Sequence, residues 1–255
     1  MSSNTWTPDA LSSSTRSLSG SCWRLVEAQH HVSTTKITDT RHEQERLEAL
    51  LEASKPAIPQ ECLGLDYLLF TPFRYGAPYP KGSRFRRAGL TAGVFYASET
   101  ARTAAIETAF YRLLFFAESP DTPWPSDPGE YTAFKIEYAT GGAIDLMAPP
   151  LNQYRIDWMH LTSYDACQQL ADACRQQNVD IIKYQSVRDQ TPSANFAILR
   201  CRAFASTMPA DRQTWRIQLD ASGVRIICEF PRLAFDVDRA LLAQDPRLET
   251  LNWDR

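Results

Sequence analysis

The chain has 255 residues, 44% hydrophobic and 22% charged, and a formal net charge of -3. That suits one large domain, or one domain with an extension, and permits a sizeable core. A charge this close to zero argues against direct nucleic-acid binding, the lack of a long apolar run against a membrane span, and the polar start MSSNTWTPDALSSSTRS against a signal peptide, so a cytoplasmic protein is expected.

Residues 1–20 are rich in Ser and Thr and read as a loose arm. CWRLVEAQHHVSTTKI (22–37) suits a strand or a short helix. DTRHEQERLEALLEAS (39–54) predicts an amphipathic helix capped by Asp39 or Thr40, with Leu47, Leu50 and Leu51 on one face and Pro56 and Pro59 past its end. LDYLLFTPF (65–73) is a short buried strand or helix. RYGAPYPKGSRFRRAGLTAG (74–93) is a Gly-, Pro- and Arg-rich loop of functional composition. GVFYAS (93–98) predicts a strand, and ETARTAAIETAFYRLLFFAE (99–118) a long helix with Ser98 as N-cap. A Pro-rich connection (120–131) leads to the alternating strand YTAFKIEYAT (131–140), then a turn and another short strand in GGAIDLMAPP. A helix is predicted at 162–178, and at 179–189 a strand running into a polar turn. Next come a strand at 195–204 with Phe196, Ile198 and Leu199 toward the core, a hairpin about Ala221–Gly223, and a closing helix in RALLAQDPRLETLN. Strands and helices mix without βαβ regularity, which predicts an α+β fold.

Six cysteines, Cys22, Cys62, Cys167, Cys174, Cys201 and Cys228, form no C-x-x-C pair and read as reduced, buried thiols. The histidines, His30, His31, His42 and His160, show no metal-ligand spacing, so no metal is expected.

Glu107 is the anomaly of the 99–118 helix. At helical spacing its neighbours are Thr103, Ala104, Phe110, Tyr111 and Leu114, an apolar face where a lone carboxylate costs several kcal/mol. Two readings stand: an ion pair with an arginine from elsewhere, or an acid lining a cleft. The upstream loop carries Arg74, Arg84, Arg86 and Arg87, whose planar forks suit phosphate or diphosphate. Gly76, Gly82 and Gly89 would allow close approach, and Tyr75, Tyr79, Phe85 and Tyr96 could supply stacking faces. Ser186 sits in YQSVRD at a strand end. No G-x-G-x-x-G, Walker A or G-x-S-x-G sequence accompanies these residues.

GSRF, GVFYAS, the A-x-x-E of the helix and YQSVRD followed by Asn195, in that order, resemble the RES domain family. The resemblance covers roughly 70–205, with Trp23–Arg24 as an added match. It implies an ADP-ribosyltransferase-like split β-sheet core flanked by helices, with a partly helical N-terminal extension. The implied division is 1–65 as arm and extension, 66–235 as the NAD-binding domain, and 236–255 as a tail or helix. NAD is implied as substrate, cleaved at the nicotinamide–ribose bond by a glycohydrolase or phosphorylase acting as a bacterial toxin, with an Xre-like helix-turn-helix antitoxin as partner. Protein ADP-ribosylation and a catalytically silent nucleotide-binding module stand as alternatives, and a homodimer is compatible with the sequence. Position by position, the resemblance implies Glu107, Ser186 and Tyr96 as catalytic residues and Arg84, Tyr75 and Asn195 as NAD-binding residues. The family's leading arginine falls on Arg74 in FRYG, the preferred match, or on Arg24 in CWRL.

Overall fold

The computed structural model describes residues 8–28, 37–75, 82–89 and 91–255. The expectations on His30, His31, Gly76 and Tyr79 lie outside these residues. The fold is α+β, as the mixed pattern predicts. Eight strands, β1 (Arg16–Glu27), β2 (Phe95–Ser98), β3 (Gly129–Asp145), β4 (Ile181–Gln185), β5 (Ala194–Ile198), β6 (Asp211–Asp220), β7 (Gly223–Cys228) and β8 (Leu233–Asp238), form a sheet in the order β1-β2-β5-β4-β3-β6-β7-β8, with β1 also paired to β3.

β3 belongs to both halves of this sheet. Its first part pairs antiparallel with β1 and with β6, and its last residues, from Ala143, pair parallel with β4. The ring β3-β1-β2-β5-β4 therefore closes, but among the described residues β1 and β2 meet at one register pair, Trp23 with Ser98. Beyond it the two strands splay apart, and the candidate site lies at that opening.

Among the described residues the sheet is accompanied by seven helices, of which α1 (Pro8–Ser14) precedes β1 and α5 (Arg155–Trp158) lies between β3 and α6 (Asp165–Gln176), and three cores fill the faces. The long helix α4 (Ala101–Glu118) sets Ala104, Ala105, Ala109, Phe110, Leu113 and Phe116 against Leu25, Tyr131, Ala133, Trp215 and Ile217. Its alanines let the helix come close to the sheet, and each buried large side chain contributes roughly 1.5–3 kcal/mol. Helix α3 (Tyr67–Arg74) packs Leu69 with Cys22, Phe95, Phe134 and Ile136, in a second core. Helix α6 (Asp165–Gln176) covers β4 with Cys167, Leu170, Ala171 and Cys174, in a third that includes Phe85 and Tyr184.

Several expectations change. β1 begins at Arg16, within the stretch read as a loose arm, because residues 16–27 run along β3 as an integral strand. Gly141–Gly142 does not end a strand: Thr140 Oγ1 accepts from the Gly142 amide (2.9 Å) and β3 continues to Asp145. α4 starts at Ala101 with Thr100 as N-cap, whose hydroxyl takes the Thr103 amide (3.0 Å), leaving Ser98 in the strand. The predicted 39–54 helix is α2 (Arg41–Ser54), capped by Thr40, but it buries no residue and its Leu50 and Leu51 stay exposed. The closing helix shortens to α7 (Arg239–Leu242) and a 3-10 turn at Pro246–Leu248, as a proline there dictates.

The cysteine reading also needs correction. Cys62 and Cys201 form a disulfide with Cα atoms 5.5 Å apart. The partners are 139 residues apart in sequence, so no local spacing announces the bond. Cys22, Cys167, Cys174 and Cys228 are free and buried, as expected. Glu61 is the third member of the one potential metal-ligand group among the described residues, whose other two members are the disulfide's sulfurs. No helix among the described residues is long and apolar enough to cross a membrane.

Candidate functional site

The site begins with Glu107, two turns into α4 and facing the splayed strands. Three side chains, two from the turn after β4 and one from β5, converge on its carboxylate. Ser186 Oγ and Asn195 Nδ2 each donate to Oε1 at 2.7 Å, and Arg188 Nη1 donates to Oε2 at 2.6 Å. Each donor is itself held. Ser186 Oγ accepts the Asp189 amide (3.1 Å), and Asn195 Oδ1 accepts from Ser98 Oγ (2.7 Å). Arg188 lies over the Phe110 ring, 4.0 Å from its centroid. The turn after β4 is pinned to the same helix again by Asp189, which accepts from Thr103 Oγ1 (2.8 Å) and Arg102 Nη1 (2.8 Å).

Burial alone would push the Glu107 carboxyl upward. Arg188's charge, together with the hydrogen bonds from Ser186 and Asn195, outweighs it and holds the group below the usual carboxylate range. Arg188 responds in kind: burial pulls it down, but Glu107 wins and raises it. Glu107 is therefore a carboxylate at neutral pH. Two accepted bonds occupy Oε1 and one occupies Oε2, so Oε2 retains capacity for another donor.

The second component is the turn GSRF. Ser83 and Arg86 form a bridge through two backbone bonds (2.7 and 3.2 Å), leaving Arg84 and Phe85 at the tip. Phe85 is buried against Tyr184 with ring centroids 4.8 Å apart. The Tyr96 hydroxyl pairs with Ser83 Oγ (2.8 Å) and accepts from the Phe85 amide (3.0 Å). So anchored, Arg84 is 6% exposed, donates from Nη1 to the Trp158 carbonyl (2.6 Å), and lies over the Tyr164 ring. Its Nη2 is buried with no hydrogen-bond partner among the described residues. Gly82 starts the turn at φ +65°, where a Cβ would stand 2.9 Å from Arg86 O and from Ala88 N. Gly82→Ala is expected to cost about 1–3 kcal/mol and to loosen Arg84; urea unfolding checks the first effect and the affinity for an anionic ligand the second.

Arg24 is the third component. Its Nη1 donates to the Tyr96 carbonyl (2.8 Å), a group that faces the gap where β1 has left β2, and its guanidinium lies over Phe95. No described carboxylate pairs with Arg24 or with Arg84. Burial lowers the Arg24 pKa to about 10, still far enough above neutral to keep the charge. Glu107, Arg188, Arg84, Arg24, Tyr96 and Asn195 line one cavity of about 260 Å³. It holds three guanidiniums and one paired carboxylate, a wall suited to an anionic ligand.

The structure thus brings Glu107, Ser186, Tyr96, Arg84, Arg24 and Asn195 together. It does not bring Arg74 or Tyr75 there. α3 carries Arg74 away to an ion pair with Glu52 (2.7 Å) and the Pro56 carbonyl (2.6 Å), and Tyr75 is exposed outside the cavity wall. Ser186 is 1% exposed, and its single hydrogen goes to Glu107 rather than outward. Sequence reasoning passed over Arg188, although it stands two residues after Ser186 in the motif. It also passed over Arg247, which pairs with Asp245 (2.6 Å), donates to Tyr164 Oη (2.7 Å) and lies over the Phe110 ring, 4.9 Å from its centroid.

A family model described as RES domain matches residues 58–220. No curated protein matches the chain. Among solved structures, the crystal structure of the M. tuberculosis MbcT-MbcA toxin-antitoxin complex contains a chain that is similar at 11% identity and a TM-score of 0.43, over 93% of this chain and 95% of that one. Backbone agreement at that level is too coarse to carry an activity or a partner across.

Proposed function

The chain belongs to the RES domain family, and from that premise we propose that it consumes NAD by breaking the bond between nicotinamide and ribose. The observation that carries the reading is an ionised Glu107 fixed by three donors in a cavity that also holds two arginines without a described carboxylate partner. Breaking the bond to the pyridinium nitrogen leaves the electron pair on nicotinamide, which departs neutral, and builds oxocarbenium character on the ribose. A carboxylate already oriented beside that carbon stabilises the charge without reorganising. The open position on Oε2 would accept a ribose hydroxyl. Arg84 and Arg24, in preference to Arg74, would take the diphosphate, and the Tyr96 ring would border the nicotinamide. Ser186 and Asn195 act through Glu107, as positioning residues.

Family membership also supports a toxin role with an Xre-like helix-turn-helix antitoxin as partner. Cell growth arrest on expression, relieved by Glu107→Gln, is the expected sign of it. For the chemistry, the test is purified protein with NAD and nicotinamide followed by mass. ADP-ribose as co-product identifies water as acceptor, its phosphate ester identifies phosphate, and a mass increase on a protein in cell extract identifies ADP-ribosylation. NAD bound without release of nicotinamide under all three conditions would replace the enzyme with a binding module.

A further inference from the structure

Helix α6 carries two stripes. Cys167, Leu170, Ala171 and Cys174 form the apolar one and pack into the core. The other is turned round the helix by one residue. It starts at the N-cap residue Tyr164 and runs through Gln168, Asp172 and Arg175, each three or four residues after the last.

Every member of this second stripe touches the GSRF turn or the arginine after it. Arg84 lies over the Tyr164 ring, 4.8 Å from its centroid. Gln168 Nε2 donates to the Ser83 carbonyl (2.9 Å) and to the Arg86 carbonyl (3.2 Å). Asp172 Oδ2 accepts from Arg87 Nε (2.6 Å), and Arg175 Nη2 donates to the Phe85 carbonyl (3.0 Å).

The bonds within the turn and from Tyr96 fix its shape and tie it to β2. The Arg84 guanidinium, however, sits against the Trp158 carbonyl of α5 and the Tyr164 ring at the start of α6. The relation of the turn to α6 must therefore be held as well, and Gln168 holds it at both ends of the Ser83–Arg86 bridge. Its two bonds are additional ones. The Ser83 carbonyl also accepts from the Arg86 amide (3.2 Å), and the Arg86 carbonyl from the Ser83 amide (2.7 Å). Loss of the Gln168 amide thus leaves neither carbonyl without a donor, so the cost to folding is small. What is lost is the grip of α6 on the turn that carries Arg84.

We propose that Gln168 is a positioning residue for Arg84: it fixes the GSRF turn against α6 so that the guanidinium meets an anionic group in the Glu107 cavity. Gln168 itself lies outside the wall of that cavity. The proposal rests on the reading of Arg84 as a diphosphate-binding residue.

The experiment uses the full chain and inorganic diphosphate, titrated calorimetrically into wild type, Gln168→Leu, Arg84→Met and the double variant. Gln168→Leu should weaken binding by about three- to tenfold, as expected for one or two neutral hydrogen bonds. Arg84→Met should weaken it by about ten- to a hundredfold. In the Arg84→Met background, Gln168→Leu should change it by less than about twofold, because a residue that acts through Arg84 then has nothing to act on. Gln168→Asn, whose amide is one methylene short of both carbonyls, should behave as Gln168→Leu does. With NAD, the loss in Gln168→Leu should fall on KM and leave kcat within about twofold, since a diphosphate contact is made in ground and transition state alike. Thermal unfolding checks that each variant is folded. Equal affinity of wild type and Gln168→Leu, the same loss with and without Arg84, or failure of both Gln168 variants to fold would make Gln168 a purely structural residue and overturn the proposal. A wild type that binds no diphosphate overturns it too. The cleavage reaction fails separately: if the titrations behave as expected and no nicotinamide is released, the positioning role stands and the reaction falls.

Discussion

Glu107→Gln should lower nicotinamide release from NAD by at least about 10²–10³-fold, equivalent to roughly 3–4 kcal/mol of lost transition-state stabilisation. The substitution keeps the shape and removes the charge. It also breaks a hydrogen-bond pattern made entirely of donors. Ser186 and Asn195 both point hydrogens at Oε1, and Arg188 points one at Oε2. A glutamine has one acceptor oxygen. Placed toward Ser186 and Asn195, it turns its amide hydrogens against Arg188; reversed, it opposes two donors. Either way Arg188, with 8% of its side chain exposed, loses its counter-charge. Removing one partner of such a buried pair costs about 3–5 kcal/mol, and for a chain of this size that lowers Tm by on the order of 10 °C. The two losses are separable. Release is measured well below the variant's Tm, and stability by thermal unfolding. A folded Glu107→Gln protein that cleaves NAD near the wild-type rate would remove Glu107 from the chemistry.

The anomaly of Glu107 was legible because helical period is local: eight residues of sequence place an acid among Ala104, Phe110 and Tyr111. The two readings of it turn out to be compatible, since the carboxylate pairs with an arginine and lines a cavity at once. The choice between Arg24 and Arg74 was not legible. Composition favours the Gly-rich loop, and that loop does hold Arg84. Which way Arg74 points depends on α3 forming, which turns it to Glu52. Which way Arg24 points depends on β1 pairing with β3 more than a hundred residues on, and on where β1 leaves β2. Strand pairing at such separation has no local signature. Arg188 was missed for a related reason. A polar turn has no periodicity to assign side-chain direction, so only the tertiary contact shows that it, and not a loop arginine, neutralises Glu107. The same turn hid the tie between Asp189 and Thr103, four residues before Glu107 on the helix.

Arg188→Ala should reverse the pH dependence of the site. In the wild type the Glu107 carboxyl lies below its ordinary value, with burial opposed first by Arg188's charge and then by Ser186 and Asn195. A carboxyl depressed on folding contributes stability that is present above its unfolded pKa and is lost as pH falls through the folded one. Activity should accordingly hold level from neutral pH down through the ordinary carboxylate range, and protonation of Glu107 should end it only below that range. Without Arg188 the burial cost is opposed by two neutral donors alone, and the carboxyl rises. A group raised on folding works with the opposite sign: its stabilisation is present at low pH and is lost as pH rises through the folded pKa. The variant should lose about 3–5 kcal/mol at neutral pH, recover part of it on mild acidification, and show an acid limb in its rate profile at higher pH than wild type. Arg188→Lys retains a charge but not the planar stack on Phe110 at 4.0 Å, so its profile should fall between the two. Urea unfolding at a series of pH values, with nicotinamide release measured at the same points, reads both effects. Parallel pH dependences for wild type and Arg188→Ala would mean that Ser186 and Asn195 suffice to keep Glu107 ionised. Arg188 would then serve packing on Phe110 rather than the charge at the reacting carbon.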